Sequence, residues 1–240
     1  MKFIMNPNSN ILDKQLARLA DETTFEERFE ILKTLVEYWH GEIQSEDGFT
    51  ENELSNITIP TALKKWFLWA GKRKNIMSGQ NFLLDPSVID TSRNPFLFYH
   101  ENQYSYQWAT TLESEDPPVY GRVEESEPWL LQNLRLSEHL ILTCLFEAIL
   151  SHAKFGAATA WLAETEVDAF KQQIPALALP PWTWLTETRL FAGGGRFMCT
   201  MENGEDDGLA YYSVWLGAKT EEPLQFLKPL ISGNWDYSSL

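Results

Sequence analysis

The segment ENQYSYQWATTLESEDPPVY, residues 101–120, sets two carboxylates, Glu101 and Asp116, among amides and aromatics. A pair of acids flanking a scissile bond is the machinery of many hydrolases, one giving a proton while the other attacks or activates water. The residue types fit. Yet a chain with 34 acids offers many such pairs, and linear spacing does not bring any one of them together. Other templates fit less well. His40, His100, His139 and His152 lack the paired spacing of a zinc site, and His152 falls in the last turn of a predicted helix, where its charge suits the dipole. Gly193, Gly194 and Gly195 lack the Lys-Ser/Thr of a phosphate loop and precede a strand instead of opening a helix. They read as a bend. Cys144 and Cys199 lie in apolar segments and read as small buried hydrophobes, and there is no GxSxG elbow. The expectation is a protein without metal, cofactor or turnover.

The elements around these residues follow from pattern. ILDKQLARLA, within residues 1–22, predicts a peripheral helix. Thr24 and Glu27 form a capping box for a helix carrying Phe25, Phe29, Leu32, Val36 and Trp39, and Gly41 closes it. A second helix starts at Pro60, whose missing N–H costs nothing there, and ends at Gly71. The period then shortens: FLLD, PFLFYH, SYQWATT and PVYGRV read as strands. Glu101, Asn102 and Gln103 make a turn, after which Tyr104, Tyr106 and Trp108 fall on one face. Asp116-Pro117-Pro118 interrupts pairing, because two consecutive residues have no N–H to donate.

A long helix is predicted from an N-cap at Ser137 to a stop at Gly156, and its middle, LILTCLFEAIL, is apolar nearly all round. Residues 157–190 are ambiguous; ETEVDAFKQQI reads as helix and PPWTWLTETRL opens as loop. RFMCTME and LAYYSVWLG flank NGEDDG as a hairpin, with Phe197, Cys199 and Met201 alternating with Arg196, Met198 and Thr200 as one buried face requires. Thr220 caps a last amphipathic helix carrying Leu224, Leu227, Leu230 and Ile231. The class is α+β, a mixed, largely antiparallel sheet flanked by helices. A peripheral segment, 1–22, precedes a single domain over 23–240, with 157–190 as a candidate insertion.

The totals narrow the partners. At 240 residues the chain can bury a large core without staples, and its ten Trp, fourteen Phe and eight Tyr supply the apolar area. A net charge of −15 repels phosphates, speaks against direct nucleic-acid binding and favours a basic partner. MKFIMNPNSN lacks the apolar run of a signal peptide and no segment approaches a membrane span, so a cytoplasmic location is expected. Charge is uneven. Lys64, Lys65, Lys72, Arg73 and Lys74 make 61–84 basic, whereas two segments are acidic: Glu113, Glu115, Asp116, Glu124, Glu125 and Glu127 form one candidate patch, and Glu202, Glu205, Asp206 and Asp207 another at the hairpin tip.

The order of these elements resembles the SUKH superfamily, which includes fungal Smi/Knr-like cell-wall-assembly regulators and bacterial immunity proteins. Ile59-Pro60, Leu63, Phe67 and Gly71 look like its proline-started helix, and Asn81, Leu83, Leu84 and Pro86 like its next strand. Glu101-Asn102-Gln103 with Trp108, then Asp116-Pro117-Pro118-Val119, is similar to its most distinctive stretch, although Tyr104 follows where a small residue is common. Trp129, Leu136-Ser137-Glu138, Gly217-Ala218-Lys219-Thr220 and Trp235 continue the likeness. The resemblance implies a protein that neutralises a cognate toxin by direct contact, without cofactor. It implies a scaffold role for Pro60, Gly71, Glu101, Asn102, Gln103, Trp108, Pro117, Pro118 and Trp235. Two other classes stand beside this one: a regulatory scaffold of the Smi/Knr type, and a hydrolase using Glu101 or Asp116.

Overall fold

The computed structural model describes residues 7–206, 208–231 and 235–240. They fall into two compact units, Thr23–Glu147 and Met1–Glu22 with Ala148–Leu240, a division that the reading of one domain over 23–240 does not draw. The class is α+β, and the strands form two sheets of five and six, antiparallel at every pairing. Helix α1 (Pro7–Ala17) and the 3-10 turn after it bury Leu12, Leu16 and Leu19, so the segment expected at the periphery contributes to a core.

In the unit Thr23–Glu147, helix α2 (Phe25–His40) begins at the capping box: Glu27 N–H donates to Thr24 Oγ1 at 3.3 Å, and Thr24 N–H to the Glu27 carboxylate at 2.9 Å. Gly41, at φ 80°, closes it in the left-handed region that favours glycine. Helix α3 (Thr61–Ala70) starts one residue after Pro60. Strands β1 (Asn81–Leu83), β2 (Phe96–Glu101), β3 (Gln107–Thr110), β4 (Pro118–Arg122) and β5 (Leu130–Arg135) form a meander in chain order. Pro118 opens β4, the strand position where a missing N–H is tolerated.

Two expectations fail in this unit. Tyr104 does not share a face with Tyr106 and Trp108. It sits in the β2–β3 turn at φ 61°, 56 % exposed, with its ring stacked 4.1 Å from His100, whereas Tyr106 and Trp108 are buried. A left-handed φ is costly for a residue with Cβ. Helix α4 (Leu136–Glu147) follows β5 without a break, so Ser137 is inside it and is not its N-cap. The caps come from another segment: Ser137 N–H donates to Asp116 Oδ1 at 2.8 Å and Leu136 N–H to the Pro117 carbonyl at 2.9 Å. Every residue of α4 except Glu138 is buried. The helix also stops early, passing into a π turn at Ala148–His152.

The second unit holds β6 (Phe155–Ala163), α5 (Glu164–Lys171), β7 (Trp182–Trp184), β8 (Thr186–Gly193), β9 (Arg196–Asp206), β10 (Leu209–Ala218) and β11 (Tyr237–Ser238). Their order is β11-β6-β10-β9-β8-β7. Gly156, expected after a helix, lies inside β6, and residues 157–190 supply most of β6, all of α5 and β7, and part of β8. Gly194 and Gly195, at φ 62° and 75°, make the tight β8–β9 turn, and Gly194 N–H donates to both Asp13 oxygens of α1 at 3.1 and 3.0 Å. β9 does not have one buried face: Phe197, Met198, Cys199 and Thr200 are all buried, so both faces of the strand are covered. Instead of an amphipathic α-helix, Glu222–Leu230 is a 3-10 stretch. Pro223 and Pro229 deny it N–H donors, and its three-residue turn puts Leu224 and Leu227 together in the core while Leu230 stays exposed.

Candidate protein-binding surface

The carboxylates sort into two populations. Those in the sheet of the Thr23–Glu147 unit are consumed by its scaffold. Asp116, 6 % exposed, accepts from Arg28 Nη2 at 2.8 Å, Ser137 Oγ at 2.7 Å and Ser137 N at 2.8 Å, while Arg28 Nε donates to Ser137 Oγ at 2.7 Å. A buried charge with both carboxylate oxygens engaged ties α2, the β3–β4 connection and the start of α4 into one node. Asp116 therefore leaves the candidate acidic patch. Glu101, also buried, accepts from Gln103 N at 2.6 Å, Ser105 Oγ at 2.9 Å and Gln80 Nε2 at 3.1 Å, which fixes the β2–β3 turn. Asn102 and Gln103 are exposed on that turn; Trp108, Pro117 and Pro60 are buried. Glu101 ends β2 next to the turn, and Asp116 precedes β4 at the far end of the same strands. The strand rise puts them about 13–16 Å apart. A carboxylate pair working on one glycosidic bond stands about 5–9.5 Å apart.

A third buried acid escaped the sequence reading. Glu147, 0 % exposed at the end of α4, accepts from Gln80 N and Asn81 N, both at 2.8 Å, and from Tyr99 Oη at 3.1 Å. Burial pushes its carboxyl up, and burial together with the Glu147 charge pushes the Tyr99 phenol well up. The signal was present, since an acid inside LILTCLFEAIL must meet donors when that helix is covered on all sides. His139, 0 % exposed, lies 5.3, 5.6 and 5.7 Å from the rings of Phe98, Tyr99 and Trp108, and burial lowers its pKa to about 3. Cys144 and Cys199 are free and buried, and burial raises both thiols.

The other population is exposed. Glu113 and Glu115 lie on the β3–β4 connection and Glu124, Glu125 and Glu127 on the β4–β5 connection. The whole of β4 lies between these loops, so the first candidate patch is two separate patches at opposite ends of a strand. In the other unit, Glu202 and Glu205, expected at the hairpin tip, lie within β9, Glu205 exposed and Glu202 half-buried. The side chain of Asp206, and Asp207 altogether, fall outside the described residues.

Around Glu202 the structure gathers residues the sequence reading did not single out. Glu202 pairs across the ladder with Tyr212, and Glu187 lies one residue beyond Thr188–Met201, the last pair of the β8–β9 ladder. Partial burial, and after it the charges of Glu164, Glu202, Asp168 and Glu187, push the Tyr212 phenol up. Two cations reach this cluster: Lys171 pairs with Asp168 at 3.0 Å and lies 5.4 Å over the Tyr212 ring, and Arg189 pairs with Glu187 at 2.8 Å.

The neighbouring strand carries a β-bulge. Thr159 pairs with Val214 and Leu162 with Tyr212, so Ala160 and Trp161 together face Ser213. The extra residue lets Ala157 and Leu162, five apart, both reach the core, and it turns Trp161 to the opposite face. There Trp161 is 69 % exposed, 6.1 Å from the Tyr211 ring, and Leu209, two residues along the same strand, is 54 % exposed.

Among the described residues, no group of three or more His, Cys, Asp or Glu is arranged to hold a metal ion, and no helix is long and apolar enough to cross a membrane. A cleft beside Trp66, Met77 and Leu84 holds about 20 Å³, enough for one water. Compared with family models, curated proteins and solved structures, the chain finds no match in any of the three.

Proposed function

We propose that this protein acts by non-covalent binding of a basic partner protein, as an immunity-type inhibitor that occupies a cognate toxin domain. The reading rests on one observation above the rest: the corner where Glu202 faces Tyr212 on the next strand and Glu164, Asp168 and Glu187 add their charges, four acids against the two cations Lys171 and Arg189. This balance leaves the corner net negative, and a basic surface would be drawn to it. The resemblance to the SUKH superfamily supplies the finer part of the reading, toxin neutralisation. The scaffold work done by Glu101 and by the Asp116-Pro117 pair accords with a family whose shared motif holds the fold while the partner surface varies.

The test is co-expression with the product of the adjacent gene. The expected outcome is rescue of growth and a stoichiometric complex on size exclusion. Growth arrest that persists at equal expression, with no complex formed, would remove the immunity reading.

A further inference from the structure

We infer that Asn203 is a spontaneous modification site, and that its carboxamide pins a pair of β-bulges which its conversion to aspartate or isoaspartate releases. On β9, Glu202 pairs with Tyr212 and Gly204 with Tyr211, so Asn203 is an extra residue with no partner across the ladder. On β6, Ala160 and Trp161 together face Ser213, and β10 lies between β6 and β9. One side chain joins the two irregularities. Asn203 Nδ2 donates to the Ala160 carbonyl and to Ser213 Oγ at 2.9 Å, and Ser213 Oγ donates back to Asn203 Oδ1 at 3.0 Å. The Ala160 N–H donates to Asp236 Oδ2 at 2.9 Å, so side chains satisfy both backbone groups of this bulged residue.

Asn203-Gly204 is the single Asn-Gly step in the chain. Gly204 is exposed, its φ is 117°, and it has no side chain to crowd an approach of its nitrogen to the Asn203 Cγ carbon. Attack forms the N–Cγ bond; the Gly204 N–H proton ends on the departing Nδ2, which leaves as ammonia. Water then opens the five-membered imide at either carbonyl, giving aspartate or isoaspartate. The sum is asparagine plus water to aspartate plus ammonia, with nothing oxidised or reduced. In the folded chain the hydrogen bonds hold the carboxamide, so the reaction runs through opening of this end of the hairpin. The product cannot close as before. A carboxylate has no N–H for the Ala160 carbonyl, sets oxygen against oxygen there, and adds a charge beside Glu202 and Glu205. Isoaspartate also lengthens the main chain by one carbon and shifts the strand beyond it.

The experiment ages the full chain at mildly alkaline pH and follows its peptides by the mass gain of deamidation and the separate elution of the isoaspartyl form. Asn203 should convert before any other asparagine. Ser213→Ala, which removes bonds that hold the carboxamide, should speed the conversion about two- to fivefold, the worth of one hydrogen bond. The product made directly, N203D, should lower the thermal midpoint by about 2–4 °C and move the Trp161 indole signal in a ¹⁵N spectrum, assigned from W161F. N133D, at an exposed position of β5, should do neither. If N203D does not fold, the aged parent, separated by ion exchange from the unconverted chain, gives the same comparison. Asn203 still intact when other asparagines have converted, or converting no faster in Ser213→Ala, would overturn the modification site. A midpoint and an indole signal unchanged by the conversion would overturn the pin.

Discussion

His139 illustrates how far burial moves one residue. It is enclosed by three aromatic rings and its pKa falls to about 3, so it is neutral in the folded protein at any ordinary pH. Unfolded, it titrates near 6.5. Between these values the unfolded chain binds the extra proton, so stability is complete above about pH 6.5 and falls by about 1.4 kcal/mol per unit as the pH drops toward 3. Denaturant midpoints measured from pH 7 to pH 4 should show this slope, and His139→Leu should remove most of it. Glu147 runs the other way, because a raised carboxyl pKa favours the protonated folded form and loses stability as the pH rises through it. Asp116 differs from its exposed neighbours in the same loop. Asp116→Ala strands the buried Arg28 guanidinium and should cost about 3–5 kcal/mol in chemical unfolding. Glu113→Ala and Glu115→Ala, on exposed positions, should each stay within about 0.5 kcal/mol.

Elements here are fixed as much by their ends as by their interiors. The capping box of α2 is local and was readable from Thr24 and Glu27, whereas the cap of α4 arrives from Asp116 and Pro117 on another segment and no local pattern announces it. β5 shows the same limit. LLQNLR carries two exposed leucines and no period-two alternation, and only its pairing with β4 makes it a strand. Close approach of backbones gives a test at this scale. A Cβ at Gly48 would lie 1.9 Å from the Leu68 carbonyl oxygen on α3, which cannot swing away as a side chain could. Gly48→Ala should therefore cost about 1–3 kcal/mol, read as a lowered denaturation midpoint, with the far-UV spectrum retained.

At the scale of the whole molecule, electrostatics dominates. The basic run 61–84 is neutralised locally: Lys64 pairs with Glu51, Lys65 with Glu26, Lys72 with Glu53, Arg73 with Asp47 and Lys74 with Asp85. These exposed pairs add little stability, but they cancel the positive potential of this run. The net charge of −15 is then expressed by carboxylates elsewhere, and the corner around Tyr212 stays net negative after its two ion pairs. Glu187→Lys/Glu202→Lys should slow association with a captured basic partner by about tenfold or more at low salt and flatten its salt dependence, as stopped-flow rates would show. Glu113→Lys/Glu115→Lys should change the rate less, since that loop is not part of the corner proposed to dock.

By itself the sequence determined what depends on near neighbours and on totals: the α+β class, the ends of α2, the β9–β10 hairpin, the buried cysteines and the acidic balance. It also marked Glu101 and Asp116 as unusual, but not in what way. Whether a carboxylate faces solvent or a set of donors is decided by segments far away in the chain, as Arg28 decides for Asp116 and Gln80 with Asn81 for Glu147. Likewise, one extra residue in β6 chose the face of Trp161, and a bulge exists only relative to the strand beside it. Backbone preference is a local energy and can be read along a line; burial and register are relations between distant residues, and they exist only once the chain has closed on itself.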